Sequence, residues 1–158
     1  MSFKVTVEVS PPGDKSHVEP AWELKEIVRE EEGVLKQRRG FFVNAYRRSR
    51  AVCLFEGDDL IGFIAARRDG YILFLVVHPD HRDQGLGKRL VGEIAKKSDS
   101  VTCHARATND RALGFYEHLG FERVRRVDNY YEDGGDAFYL RLGDRRGLIE
   151  RISDLLQR

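Results

Sequence analysis

The residues best suited to chemistry follow the apolar run Tyr71–Val77, where the chain reads His78-Pro79-Asp80-His81-Arg82-Asp83-Gln84-Gly85-Leu86-Gly87-Lys88. Gly85 and Gly87 let the backbone approach a ligand closely. A helix starting there presents unpaired N–H groups and the positive end of its dipole, an anion site suited to a pyrophosphate. The glycine spacing is too short for a Walker A loop, and it is not the Gly-x-Gly-x-x-Gly of a dinucleotide fold. Two glycines near a helix start also suit plain turn chemistry, so the loop alone leaves both readings open. His78-x-x-His81 and Cys103-His104 are metal-ligating types, but their spacing is poor for zinc and no metal is expected. Cys53 and Cys103 fit no CxxC motif or disulfide framework and read as buried, inert thiols.

Those residues need elements to position them. Phe3, Val5, Val7 and Val9 alternate with polar residues as a half-buried strand does. Pro20 suits the first position of a helix carrying Leu24, Ile27 and Val28, which Gly33 ends. A second helical pattern runs through Leu35, Phe42 and Tyr46. Strands are expected at 51–56 and 60–67, joined by a hairpin, and at 71–77, whose near-continuous apolar run reads as buried on both faces. A helix from Leu86 to about Lys97, a strand at 101–105 and a helix at 112–119 follow. Paired strands at 121–131 and 137–142 and a tail helix at 148–157 complete the chain. Antiparallel strands, then a strand–helix–strand unit, predict a mixed sheet with helices on its faces.

Two segments carry a resemblance. Arg82-Asp83-Gln84-Gly85-Leu86-Gly87 resembles the Arg/Gln-x-x-Gly-x-Gly/Ala signature of the GNAT superfamily of N-acetyltransferases, and Asn109-Asp110-Arg111-Ala112 through Tyr116 to Gly120-Phe121 resembles its second signature. The resemblance covers roughly 51–142. It implies an α/β (α+β) GNAT fold: a mixed, mostly antiparallel sheet of about six to seven strands flanked by helices. A splay between the fourth and fifth strands, 71–77 and 101–105, would admit the cofactor. Residues 1–158 are read as a single domain, with 1–20 an N-terminal strand and loop and 143–158 the tail. The cosubstrate implied is acetyl-CoA. The amides of Gln84, Gly85, Leu86, Gly87 and Lys88 would cradle its pyrophosphate, and Val76 and Val77 would pair with the pantetheine arm. Asn109 would meet it from the other side, and Arg82 opens the signature with a side chain that could equally serve the surface.

Asn129-Tyr130-Tyr131 to Asp136-Ala137 is similar to a pattern of the RimI-like and protein N-terminal acetyltransferase branch. There this hairpin and the loop between the first two helices wall a peptide groove, which would set Tyr130 and Tyr131 against substrate. The chemistry needs a neutral amine, a polarised thioester carbonyl and a proton for the departing thiolate. Tyr116 stands at the family's general-acid position. RimI-like members carry a glutamate base on the fifth strand where this chain has His104. Some relatives have a histidine there with a tyrosine near the start of the fourth strand, and Tyr71 falls at that place. His104 and Tyr71 are thus the expected base pair, against the alternative of a structural histidine. Deprotonating an α-amine at pH 7 costs about 1 kcal/mol, against about 4.6 kcal/mol for a lysine, so a weak base such as histidine suits an α-amine.

The expected activity is acetyl transfer to the N-terminal amine of a protein or peptide. A lysine or small amine, or an acyl-CoA sensor without catalysis, are the alternatives. Composition sets the outer bounds. The chain has 158 residues, 27 Lys+Arg and 26 Asp+Glu, and that balance of +1 excludes a strongly basic nucleic-acid binder. No apolar run reaches membrane-span length, so no membrane partner and a cytoplasmic setting are expected. The balance conceals a segregation. Lys36, Arg38, Arg39, Arg47, Arg48 and Arg50 follow a helix crowded with Glu23, Glu26, Glu30, Glu31 and Glu32. A solvated face is the plain reading, with phosphate steering or ribosome contact the functional one.

Overall fold

A hairpin built on Gly57 organises the first half of the chain. In the computed structural model, which describes residues 4–156, strands β2 (Arg50–Glu56) and β3 (Asp59–Ala66) pair antiparallel around it, with a register shift between Leu54 and Phe55. β1 (Val5–Ser10) adds antiparallel to β2, and β4 (Ile72–Val77) closes the order β1-β2-β3-β4. Helices α1 (Val18–Glu32) and α2 (Arg39–Arg48) contribute Ala21, Leu24, Val28, Phe42, Ala45 and Tyr46 to this unit's core. Phe42 is its hub, 4.7 Å from the Phe74 ring and in contact with Trp22, Tyr46 and Phe63. Gly33 caps α1 at φ 69°, as the pattern predicts.

Three local expectations are corrected here. Leu35 stands outside the second helix at φ 57°, because the chain must reverse between α1 and α2. α1 begins two residues before Pro20, which sits inside the first turn, where a missing N–H costs nothing. β4 is not buried on both faces. Ile72, Phe74 and Val76 are buried, while Leu73, Leu75 and Val77 are half-buried.

Lys25 is fully buried in α1. Its ammonium donates to the Gln37 carbonyl at 2.5 Å and lies 4.5 Å from the Trp22 ring centroid, tying α1 to the segment before α2. Burial pushes its pKa down from the ordinary lysine value, and Glu26 opposes that.

The chain separates into two compact units: residues up to Arg68 with Leu73–Glu93, and Asp69–Ile72 with Ile94 onward. α3 (Leu86–Ala95) follows a short 3₁₀ turn, Pro79–His81. The second unit holds β5 (Thr102–Arg106), α4 (Asp110–His118), β6 (Phe121–Val127), β7 (Ala137–Leu142) and α5 (Arg145–Leu156). Its sheet has the order β5-β7-β6, all antiparallel. β4 and β5 therefore belong to different sheets. Tyr71, just before β4, forms a parallel bridge with Thr102, whose N–H donates to Gly70 at 3.1 Å. Gly70 is obligatory: at φ 87° a Cβ would stand 1.9 Å from the Ser100 carbonyl oxygen. α5 packs on its own unit through Leu148 and Ile152, both essentially unexposed, and Arg145 donates to the Ala95 carbonyl at 2.8 Å. Phe3 and Gln157, part of the expected first strand and tail helix, lie outside the described residues.

Candidate active site

Each unit presents one half of the predicted chemistry. In the first, the chain leaves β4 with the His78 N–H donating to the Ile61 carbonyl at 2.8 Å. The His78 ring then accepts from the Asp80 N–H at 3.1 Å, which shapes the 3₁₀ turn. Asp83 and Gly85 take φ 62° and 79°, and the space beside Gly85 is open. The first bond across the α3 terminus runs from the Arg89 N–H to the Gly85 carbonyl, leaving the Leu86, Gly87 and Lys88 amides without helical acceptors. No acid lies in this first turn to compete for them. Backbone N–H groups at a helix start, beside an open glycine, are the kind of donors that suit a pyrophosphate. Val76 and Val77 lie on the end strand of their sheet, where a strand can offer an edge to an extended arm.

Arg82 has its partners within the first unit. Its guanidinium forms a bidentate pair with Glu32, at 2.5 Å for both nitrogens, and reaches the Val77 carbonyl at 3.4 Å. The side chain ties the loop to the end of α1, a planar guanidinium matched to a carboxylate. Asn109 is likewise engaged: its side-chain oxygen caps α4, accepting from the Ala112 N–H at 3.1 Å.

In the second unit, residues far apart in sequence converge. The Tyr71 hydroxyl lies 2.7 Å from His104 Nδ1 and 3.2 Å from the Tyr130 hydroxyl. The Tyr130 ring stacks on the imidazole, with centroids 4.1 Å apart and planes 9° from parallel. Tyr139, in register with His104 across β5 and β7, contacts its ring at 5.0 Å. Burial, reinforced by Arg125, lowers the His104 pKa below its ordinary value, so the imidazole is neutral near pH 7. Burial raises the Tyr71 phenol well above the usual range, so it stays protonated. A neutral imidazole bonded to a protonated phenol can take up a proton that arrives from the exposed Tyr130 side.

Tyr131 meets the Tyr130 ring edge-on, with centroids 5.0 Å apart. Its ring lies under the Arg106 guanidinium at 4.0 Å, and burial pushes its phenol up to about 12. β6 stops at Val127, so both tyrosines stand in a turn and not on a strand as the pattern predicts. Asn129 at φ 53° starts that turn and donates its N–H to Asp136 at 2.9 Å, and Arg126 grips the same carboxylate at 2.6 Å. Tyr116 is 7% exposed on α4, packed against Phe121 and hydrogen-bonded to the Cys103 thiol, and burial holds its phenol protonated. Sequence reasoning missed Tyr139 and Arg125. Strand pairing is the signal that finds the first.

A helix-start loop after one strand stands where the first signature of the sequence falls, and a tyrosine–histidine cluster stands in a separate sheet. The profile of the acetyltransferase (GNAT) family matches residues 18–121, and the chain belongs to that family. N-alpha-acetyltransferase 30 of Xenopus laevis is 34% identical over 99 residues, covering 54% of this chain and 36% of that protein. The same-named protein of Schizosaccharomyces pombe is 30% identical over 111 residues, covering 62% of this chain and 73% of that one. The chain thus spans about a third of the length of the frog relative. In fold it is similar to the ribosomal-protein-S18-alanine N-acetyltransferase of Escherichia coli, with TM-score 0.70 and 22% identity over 87% of this chain and 93% of that one.

Proposed function

We propose that this chain transfers an acetyl group from acetyl-CoA to the α-amine at the N-terminus of a protein or peptide, its two units serving one acetyltransferase domain. The observation that carries the reading is the Tyr71–His104–Tyr130 cluster, a neutral proton acceptor linked to an exposed hydroxyl. Two relatives above 30% identity or at it, both named N-alpha-acetyltransferase 30, support the amine chosen.

When bound, acetyl-CoA supplies the carbonyl carbon that the amine nitrogen attacks and the sulfur that departs. The amides of Leu86, Gly87 and Lys88 hold the pyrophosphate. His104, through Tyr71, takes the proton lost as the N–C bond forms. Tyr116 holds the proton that the departing sulfur needs as the C–S bond breaks. An α-amine is already largely within reach of so weak a base at pH 7, while a lysine side chain is not.

A library of peptides with free or acetyl-blocked N-termini, read by release of free CoA thiol, tests this. Turnover confined to free N-termini supports it. Turnover on blocked peptides bearing lysine, or none on any amine, overturns it.

A further inference from the structure

The strand β6 reads Arg123-Val124-Arg125-Arg126, and strict alternation would set Arg123 and Arg125 on one face. The register does otherwise. Arg123 is opposite Leu140 and Arg125 is opposite Tyr139, so Val124 is the extra residue of a bulge that turns Arg125 to the other face. Tyr139 is in turn opposite His104. One row thus crosses all three strands, Arg125–Tyr139–His104, with the Arg125 guanidinium 4.7 Å from the Tyr139 centroid and Tyr139 5.0 Å from the imidazole.

The neighbouring arginines are neutralised. Arg123 pairs with Glu117, and Arg126 with Asp128 and Asp136. Among the described residues no carboxylate pairs with Arg125. We propose that Arg125 is a positioning residue for the proton acceptor: the bulge delivers its unneutralised charge to the His104 row, where it biases the imidazole toward its neutral form. The proposal rests on His104 being the acceptor in the reading above.

The other groups around the imidazole do not cancel this charge. Tyr71 meets it through its hydroxyl and Tyr130 through its ring, and the Tyr139 ring stands between it and Arg125. Arg106, two residues along β5, is paired with Asp133. Arg141 shares the face of Tyr139 and stands opposite Glu122. On the far side of β5, Cys103 and Tyr116 are held protonated by burial. The direction agrees with the lowered His104 pKa, in which Arg125 is the charge that adds to burial.

An NMR titration of ring-labelled histidines in the whole protein tests this without any turnover. R125Q should raise the His104 midpoint by about half a pH unit, the size expected for one charge at this range in a partly wet site. R125K should restore most of the shift, and R123Q, on the opposite face, should leave the midpoint alone. In the unaltered protein, 1 M salt should move it upward as R125Q does, since screening then acts over ~3 Å. Equal midpoints in the unaltered protein, R125Q and R123Q, with no salt effect, overturn the proposal. The pH profile of acetylation then separates the two readings. An acid limb that follows the imidazole midpoint in R125Q supports both. A limb that stays while the midpoint moves rejects His104 as the acceptor and leaves the Arg125 coupling standing.

Discussion

The ring of Tyr130 lies flat on the imidazole of His104, 4.1 Å away and 9° from parallel, while its hydroxyl reaches the Tyr71 hydroxyl that bonds the same imidazole. Tyr130 thus reaches the imidazole by two routes, directly by stacking and indirectly through the Tyr71 hydroxyl.

Those two contacts separate by substitution. Tyr130→Phe keeps the stack and loses the hydroxyl, and should lower kcat/KM for a free-N-terminus peptide by about 3- to 10-fold, the scale of one neutral hydrogen bond. Tyr130→Ala loses both and should fall further. Because Tyr130 is 42% exposed, urea midpoints should barely move in either variant.

The lowered His104 pKa predicts two pH effects. The acid limb of the kcat/KM profile should lie below the ordinary histidine value of about 6.5, and His104→Gln should abolish it. Stability follows the same sign. The neutral imidazole stabilises the fold fully above its unfolded pKa of about 6.5, and that contribution is lost as pH falls from there through the lower folded value. Urea titrations at several pH values should show His104→Gln losing this acid-side dependence.

Arg82 and Glu32 should act on acetyl-CoA binding as one unit. Arg82→Ala and Glu32→Ala should each reduce the rise in Tm produced by acetyl-CoA, and the double variant should be no worse than either alone. Additive losses would mean that the two side chains act apart.

Gly70→Ala should destabilise the fold by about 2 kcal/mol or more, since the added Cβ meets the Ser100 carbonyl at a positive φ. The check is the urea midpoint, with Gly57→Ala, at a positive φ but with open space, as the milder comparison.

Lys25→Ala should cost about 1–3 kcal/mol in urea unfolding, because it leaves the buried end of the Gln37 carbonyl bond unmade. Exposed Lys36, in the segment before α2, is the control and should change stability by no more than about 0.5 kcal/mol.

Most elements were legible because their signals are local. Hydrophobic period marked α1, α3, β2 and β3, and Gly33 and Gly57 marked their ends. Where a signal depended on distant partners, it misled. The apolar run of β4 does not say that one face is only half covered. The apparent strand through Tyr131 stops four residues early because Asp136 and Arg126 draw the chain into a turn. The arginine of the first signature was visible, but its carboxylate partner fifty residues earlier was not.

The sequence by itself determined the membership: two glycines after an apolar strand, a capped helix with Tyr116, and a paired tyrosine in the last hairpin are local chemistry at readable spacing. Only the tertiary structure decided what surrounds His104. Tyr71 and His104 meet across 33 residues. Of three arginines on β6, only one shares the face of Tyr139 and His104, because a bulge is an event of strand pairing. Its effect on which side chain faces which side is set by the partner strand's register, and no local period records it.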